Sequence, residues 1–331
     1  MKRPIDRQRE AGISMQIGTE DDGDVKGMLA IGGIMHIIKE RGIYAVKLAD
    51  TIDPQRNNPN IPNTQQKVFA CGSDSELVGR TLLTARTMFN KNYLPESFDN
   101  DRALAITFDA LKELLGMGEV ARDYAAAEKE AIDPFMNLRQ MRGSLIVPSV
   151  GDVESRCKTF IQKADHVCGA LYRIAGLFYK VPVKGCKFLA ELCRGKYGEG
   201  DLFTRFVAGL LPSLGFIRDA RNCFEHPKEN QKCTVTDFSV GADGYITPPT
   251  LAAKYQDTEY PAASVSEYMT QFSERLPEMF ELMVVHMCSK HVQPFGGMTV
   301  EVVESPENRR REKHVRFSYG CRLAGEIVPL S

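Results

Sequence analysis

Residues 202–226 read LFTRFVAGLLPSLGFIRDARNCFEH. At about 100° per residue, Phe203, Phe206, Val207, Leu210, Leu214 and Ile217 fall on one stripe, the pattern of an amphipathic helix laid on a core. Arg221 falls near the centre of that stripe, where the pattern asks for an apolar side chain. Pro212 can kink the helix and shift its phase, yet restarting at Leu214 still leaves Arg221 beside Ile217. A cation at a core-facing position breaks the local rule, and such breaks mark functional or interface sites. His226 precedes Pro227, and the residue before a proline is disfavoured in the α region. The helix is therefore predicted over Leu202–Glu225, with His226 at or just past its last turn. There the imidazole can swing back toward Arg221, and the partial negative charge of the helix end favours cationic groups.

Working outward from this helix, Asp152–Lys180 and Lys184–Lys196 read as two further helices, followed by a turn over Gly198–Asp201. After the motif the period changes. Lys232–Phe238 alternates and is rich in strand formers, and Ala242-Asp243-Gly244 is a hairpin signal before Tyr245-Ile246-Thr247. Thr234–Phe238 and Tyr245–Thr247 are expected to pair, with Pro248-Pro249 closing the strand. Val265–His291 returns to helical spacing and tolerates Pro277. The tail carries two strand-like pieces, Met298–Val303 and His314–Tyr319, around the charged turn Pro306–Lys313.

Toward the N-terminus, Asp21, Asp22 and Asp24 precede an apolar run that reads as a helix over Val25–Leu48. Gly32-Gly33 inside it is read as permitting close helix packing. A loop over Gln55–Thr64 follows, then a helix after Gly72 with the capping-box pattern Ser73-x-x-Glu76. Helices are predicted over Asp101–Leu115 and Glu119–Ile132, and a linker or short strand over Gly143–Gly151. The expected fold class is mainly α: a helical bundle with a small β-hairpin and a short β-rich tail. Its expected domains are a helical domain over 1–148, a second helical domain over 149–295, and a tail over 296–331 packing on the second.

Composition narrows the function classes. Apolar residues make up 43% and charged residues 26% of the 331, an ordinary globular balance. The formal charge of −1 gives no bulk basic field, so any nucleic-acid contact must come from a local patch. The nine cysteines form no C-x-x-C pair, which argues against a zinc ribbon or a thioredoxin-like site. The charged segment Met1–Asp24 lacks an apolar signal core, and Met28–Ile38 is about half the length of a membrane span. A cytoplasmic chain with reduced thiols and no membrane partner is expected. His286, Cys288 and His291 lie close in sequence, but their spacing matches no common zinc motif. No metal and no cofactor is expected.

Arg221-Asn222, three residues, then His226-Pro227, on a late helix of a helical domain, resembles the motif of the HEPN superfamily. Arg221, Asn222 and His226 match that motif residue by residue, and helix order extends the likeness over about Gly151–Val292. Members of that superfamily include metal-independent endoribonucleases that work as dimers in toxin–antitoxin or antiphage systems. Others keep the fold and only bind nucleotides or partners. The resemblance implies RNA as substrate, a homodimer, and an antitoxin or regulatory protein as a further partner. It implies that Arg221 binds and stabilises the scissile phosphate, that His226 transfers protons and that Asn222 orients them. The residue types suit this chemistry. RNA carries its own 2′-OH nucleophile, histidine titrates near neutrality, and arginine presents a permanent fork to phosphate oxygens. One histidine does not readily perform both proton transfers, which the family answers with two motifs facing across a dimer.

Lys184 and Lys187, in a basic stretch that runs from Lys180 to Lys196, and Arg218 on the motif helix are the candidate substrate contacts. Two other readings stay open: a non-catalytic nucleotide- or RNA-binding or dimerisation module, and a structural helix end in which Glu225 neutralises Arg221.

Overall fold

The computed structural model describes residues 3–11, 15–135, 146–242, 244–323 and 326–330. The chain divides into two compact units, Met1–Phe108 with Cys288–Ser331, and Asp109–Met287. The expected helical bundle is not the fold. Among the described residues about half are helical and 21% are strand, in four small antiparallel sheets, so the class is mixed α and β.

The correction is largest near the N-terminus. After helix α1 (Pro4–Glu10) come strands β1 (Val25–Ile31), β2 (Ile34–Lys39) and β3 (Ile43–Lys47), where a single helix was predicted. Gly32 and Gly33 both hold positive φ, 57° and 76°, as a two-residue type I′ hairpin turn requires. Ile38 and Ile43 are buried, and the alternation within β1 puts Leu29 and Ile31 inside while Met28 points out. His36 is buried too. Its Nδ1 lies 3.1 Å from the Ile34 carbonyl and its ring leans on Phe108, and burial pushes its pKa down. A short helix α2 (Ala49–Ile52) leads to β4 (Thr64–Phe69), which completes the sheet in the order β1-β2-β3-β4. α1 buries no apolar side chain, but the Arg9 side chain is buried between Asp50 and Asp53. Arg9 fastens it to Asp50 and Asp53, and Arg56 reaches Asp6, Glu10 and Asp50.

The helix predicted after Gly72 is present as α3 (Glu76–Val78), a π turn (Gly79–Leu83) and α4 (Thr84–Met88). Thr84 Oγ1 donates to the Gly79 carbonyl at 2.9 Å across that turn. Its N-cap is Ser75, with no side-chain cap, in place of the Ser73 pattern. The two helices predicted over 101–132 are one, α5 (Asn100–Ile132). A glycine inside a helix costs only about 1 kcal/mol against alanine, and Gly116 gives room to the Lys163 ammonium.

In the second unit the predicted helices stand where the periodicity placed them: α6 (Val153–Tyr179), α7 (Cys186–Tyr197) and α8 (Leu202–Glu225). Asp201 caps α8 by accepting from the Phe203 and Thr204 amides at 3.0 and 3.3 Å. α8 buries Phe203, Val207, Leu210, Leu214 and Ile217, and Pro212 does not end it. The predicted hairpin is only partly as expected. Strand β5 (Gln231–Thr236) does not pair with Tyr245–Thr247. The turn instead joins β6 (Ser239–Val240) to β7 (Ile246–Thr247), while β5 pairs with β8 (Thr250–Tyr255), itself paired with β9 (Thr258–Ser264). Asp243 lies outside the described residues, as do Gly143 and Ser144 of the expected linker. Helix α9 (Val265–His291) follows as predicted.

The tail forms β10 (Val300–Glu304), β11 (Phe317–Leu323) and β12 (Glu326–Leu330), one strand more than the sequence reading gave. It belongs to the first unit, where Tyr319 donates to the Met88 carbonyl at 2.6 Å. No disulfide joins the cysteines among the described residues. Among the described residues no helix is long and apolar enough to cross a membrane.

Candidate functional site at the end of helix α8

The last turns of α8 are pinned by the strands that follow them. Tyr260 on β9 donates to Asp219 at 2.7 Å. The Cys223 thiol donates to the Lys254 carbonyl at 3.2 Å, and the Cys233 thiol to the Ala220 carbonyl at 3.6 Å. The buried Gln231 side-chain amide donates to two carbonyls at once, Asn222 at 2.9 Å and His226 at 2.7 Å. Helix ends leave carbonyls without intrahelical partners, and here a side chain from β5 meets two groups at that end.

His226 is the C-cap, at φ −134° and ψ 59°, outside the helical region as its place before Pro227 predicts. Its amide donates to the Asn222 carbonyl at 2.9 Å and its side chain is exposed. No hydrogen bond to the imidazole is present among the described residues.

Arg221 is not at the centre of the buried stripe. From Ile217 the buried positions step to Ala220 and Cys223, which leaves Arg221 at the margin with its side chain 35% exposed. Its guanidinium is held on three sides. Glu225 Oε2 lies 2.5 Å from Nη2, Asn222 Oδ1 accepts from Nη1 at 3.3 Å, and Asp165 Oδ2 on α6 lies 3.8 Å from Nε. Gln162, also on α6, donates to Glu225 Oε1 at 3.1 Å. These pairs set α6 and α8 antiparallel along this edge. Burial raises the Asp165 pKa above the ordinary range, opposed by the charges of Arg221, His166 and Arg218.

Of the remaining candidates, Arg218 and Lys184 come together, Arg218 Nη1 donating to the Lys184 carbonyl at 3.0 Å. Lys187 stands exposed on the first turn of α7. The basic side chains thus flank Arg221 on the Arg218 side, while Glu225 and Asp165 face it directly. Sequence patterns gave no sign of Asp165, Gln162 or Gln231, because each reaches the motif from a different element. The one local hint is that Asp165 adjoins the buried Ala164 on α6.

The histidines of α9 have other surroundings. His286 stacks on Phe203, with ring centroids 5.4 Å apart, and leans on Phe206. Cys288 donates to the Met88 carbonyl at 3.6 Å. Among the described residues no three His, Cys, Asp or Glu side chains converge as a metal site. Comparison of the chain with protein-family models, with curated proteins and with solved structures finds no match.

Proposed function

We propose that the chain is a metal-independent endoribonuclease of the HEPN kind, with its site at the C-terminal end of α8. The observation that carries this is the exposed imidazole of His226, without a hydrogen-bond partner among the described residues, one turn from a solvent-reachable Arg221. In this reading the 2′-oxygen of RNA attacks the adjacent phosphorus. Arg221 exchanges Glu225 for a phosphate oxygen and stabilises the added charge of the phosphorane. His226 moves a proton, Asn222 keeps the guanidinium aimed, and Arg218 and Lys184 meet a neighbouring phosphate.

The test is digestion of single-stranded RNA by purified protein in excess chelator. The wild type is expected to leave 2′,3′-cyclic phosphate ends. Arg221→Ala and His226→Ala are expected to lose about 100-fold or more in rate with little change in melting temperature. Arg221→Lys keeps the charge but loses the fork, and a similar large loss is expected. A wild type that cuts nothing ends this reading.

A second reading is favoured by the short Arg221–Glu225 contact and its extension to Gln162 and Asp165. There the group is a clasp between α6 and α8, in a module that binds RNA or nucleotides without cutting. It predicts that Arg221→Ala lowers the melting temperature and that Arg221→Lys largely restores it.

A further inference from the structure

Helix α6 turns one strip of residues away from its packed face. Cys157, Phe160, Ala164, Cys168, Leu171 and Ala175 are buried, and Gln162, His166, Gly169 and Arg173 fall opposite them at helical spacing. Above Gly169 the space is open, since a Cβ there would meet nothing within 4 Å. The end of α8 flanks this strip on one side, through Gln162–Glu225 and Asp165–Arg221. α5 flanks it on the other, where Glu113 bridges Lys163 at 3.3 Å and His166 Nδ1 at 3.4 Å. The α5 side is an open cleft of about 240 Å³ lined by Asp109, Lys112, Glu113, His166 and Arg173. His166 is 63% exposed with its Nδ1 3.4 Å from Glu113 Oε1, so the ring lies beside a carboxylate and Nε2 is available to a ligand. A base oriented by a third group is the arrangement that activates hydroxyl nucleophiles.

We infer that His166, oriented by Glu113, is a second proton-transfer residue of the Arg221 site, contributed by the same chain, with Lys112 and Arg173 holding the next phosphate of the RNA strand. This rests on the ribonuclease reading above. With the Nδ1 proton on the side of Glu113, 3.4 Å away, the Nε2 lone pair of His166 accepts the proton of the 2′-OH. The 2′-O–P bond forms and the P–O5′ bond breaks, and His226 donates the proton that the departing 5′-oxygen takes. Nothing is oxidised or reduced, the products are a 2′,3′-cyclic phosphate and a 5′-hydroxyl, and exchange with water resets both rings. Both proton transfers are then served within one chain.

The experiment compares an RNA oligonucleotide with its analogue carrying sulfur in place of the bridging 5′-oxygen at one linkage. A thiolate leaves without a proton, so loss of the acid is repaired by sulfur and loss of the base is not. His226→Ala is expected to lose 100-fold or more on RNA and to return within about tenfold of wild type on the sulfur substrate. His166→Ala is expected to lose 100-fold or more on both, at unchanged melting temperature. Glu113→Gln is expected to lose at least tenfold on both while binding RNA as tightly as the wild type. Wild-type cutting that persists in His166→Ala overturns this inference alone, as does repair of His166→Ala by sulfur. A wild type inactive on both substrates removes the ribonuclease reading and this inference with it.

Discussion

Arg221 Nη2 and Glu225 Oε2 meet at 2.5 Å across one turn of α8, and the carboxylate is held from its other oxygen by Gln162. Arginine placed N-terminal to glutamate is the weaker order for such a pair, and Arg221 is partly solvated, so the pair contributes under about 1 kcal/mol to stability. Its larger effect is on what Arg221 is free to bind. Glu225→Gln is expected to tighten binding of single-stranded RNA several-fold at low salt, by fluorescence anisotropy, while the melting temperature moves by only a few degrees. Unchanged affinity with a large drop in melting temperature would favour the clasp.

Asp165 makes a different prediction. Burial outweighs its attraction to Arg221, so its folded pKa is raised above the unfolded value. The sign follows from linkage: its stabilising contribution is full below the ordinary aspartate range and is lost as pH rises through the raised folded value. Asp165→Asn removes that loss. Melting curves should coincide near pH 3, and the variant should become the more stable protein as pH rises to 7. A variant less stable at pH 7 would show that the ion pair outweighs the burial.

Helix α1 is held by ion pairs of Arg9 and Arg56 and by hydrogen bonds from Arg9 to the Asp53 and Asn58 carbonyls. Hydrogen bonds from Arg3 and Arg56 hold Asp6 down to about 2. Arg56 and then Arg9 lower Asp50, and the Asn58 and Asn57 amides lower Asp53. Depressed carboxylates stabilise above their unfolded pKa, and that stabilisation disappears as pH falls through the folded value. Protection factors for amide exchange in residues 4–10 should therefore fall between about pH 4 and pH 2, and also in 1 M salt at neutral pH. Arg9→Ala should release the helix at neutral pH in low salt, because its side chain is only 7% exposed between Asp50 and Asp53. Protection that survives acid and salt would show another anchor.

Two glycines should respond in opposite directions to alanine. A Cβ on Gly72 would lie 1.9 Å from the Lys39 carbonyl oxygen, where the backbone is tied by Ser73 N to Lys39 O and Asp74 N to Glu40 O. Gly72→Ala must displace that backbone and is expected to cost about 1–3 kcal/mol by denaturant melting. Gly209 lies inside α8 with nothing within 4 Å of its added Cβ. Gly209→Ala is expected to stabilise by about 0.5–1 kcal/mol.

The four long helices of 153–291 were legible because each repeats its apolar face over several turns. Residues 25–48 were not, for a physical reason. Ile37 and Ile38 on β2 are both buried, on opposite faces of the sheet, so the run reads as uninterrupted apolar sequence and loses the alternation that marks a strand. Gly32-Gly33, read as a packing point between helices, is the turn that makes the hairpin. At the site, the placement of His226 outside the helix followed from Pro227. Arg221 was recognised as out of place, but its depth was overestimated, because the buried stripe moves on to Ala220 and Cys223. The carboxylates and amides around it come from α6 and β5, and no local pattern reports which distant side chain fills a neighbouring position.

The double hydrogen bond from Gln231 binds the fate of the motif to a strand that is made after it. Until β5 has found β8, Asn222 and His226 lack the amide that gathers their carbonyls, and the last turn of α8 is free to fray. A peptide ending before Gln231 therefore carries every letter of the motif without its shape. A one-residue slip in the pairing of β5 would bring Lys232 to that place, with an ammonium where a planar amide now spans both groups. The strand acts as a gauge against which the end of the helix is set.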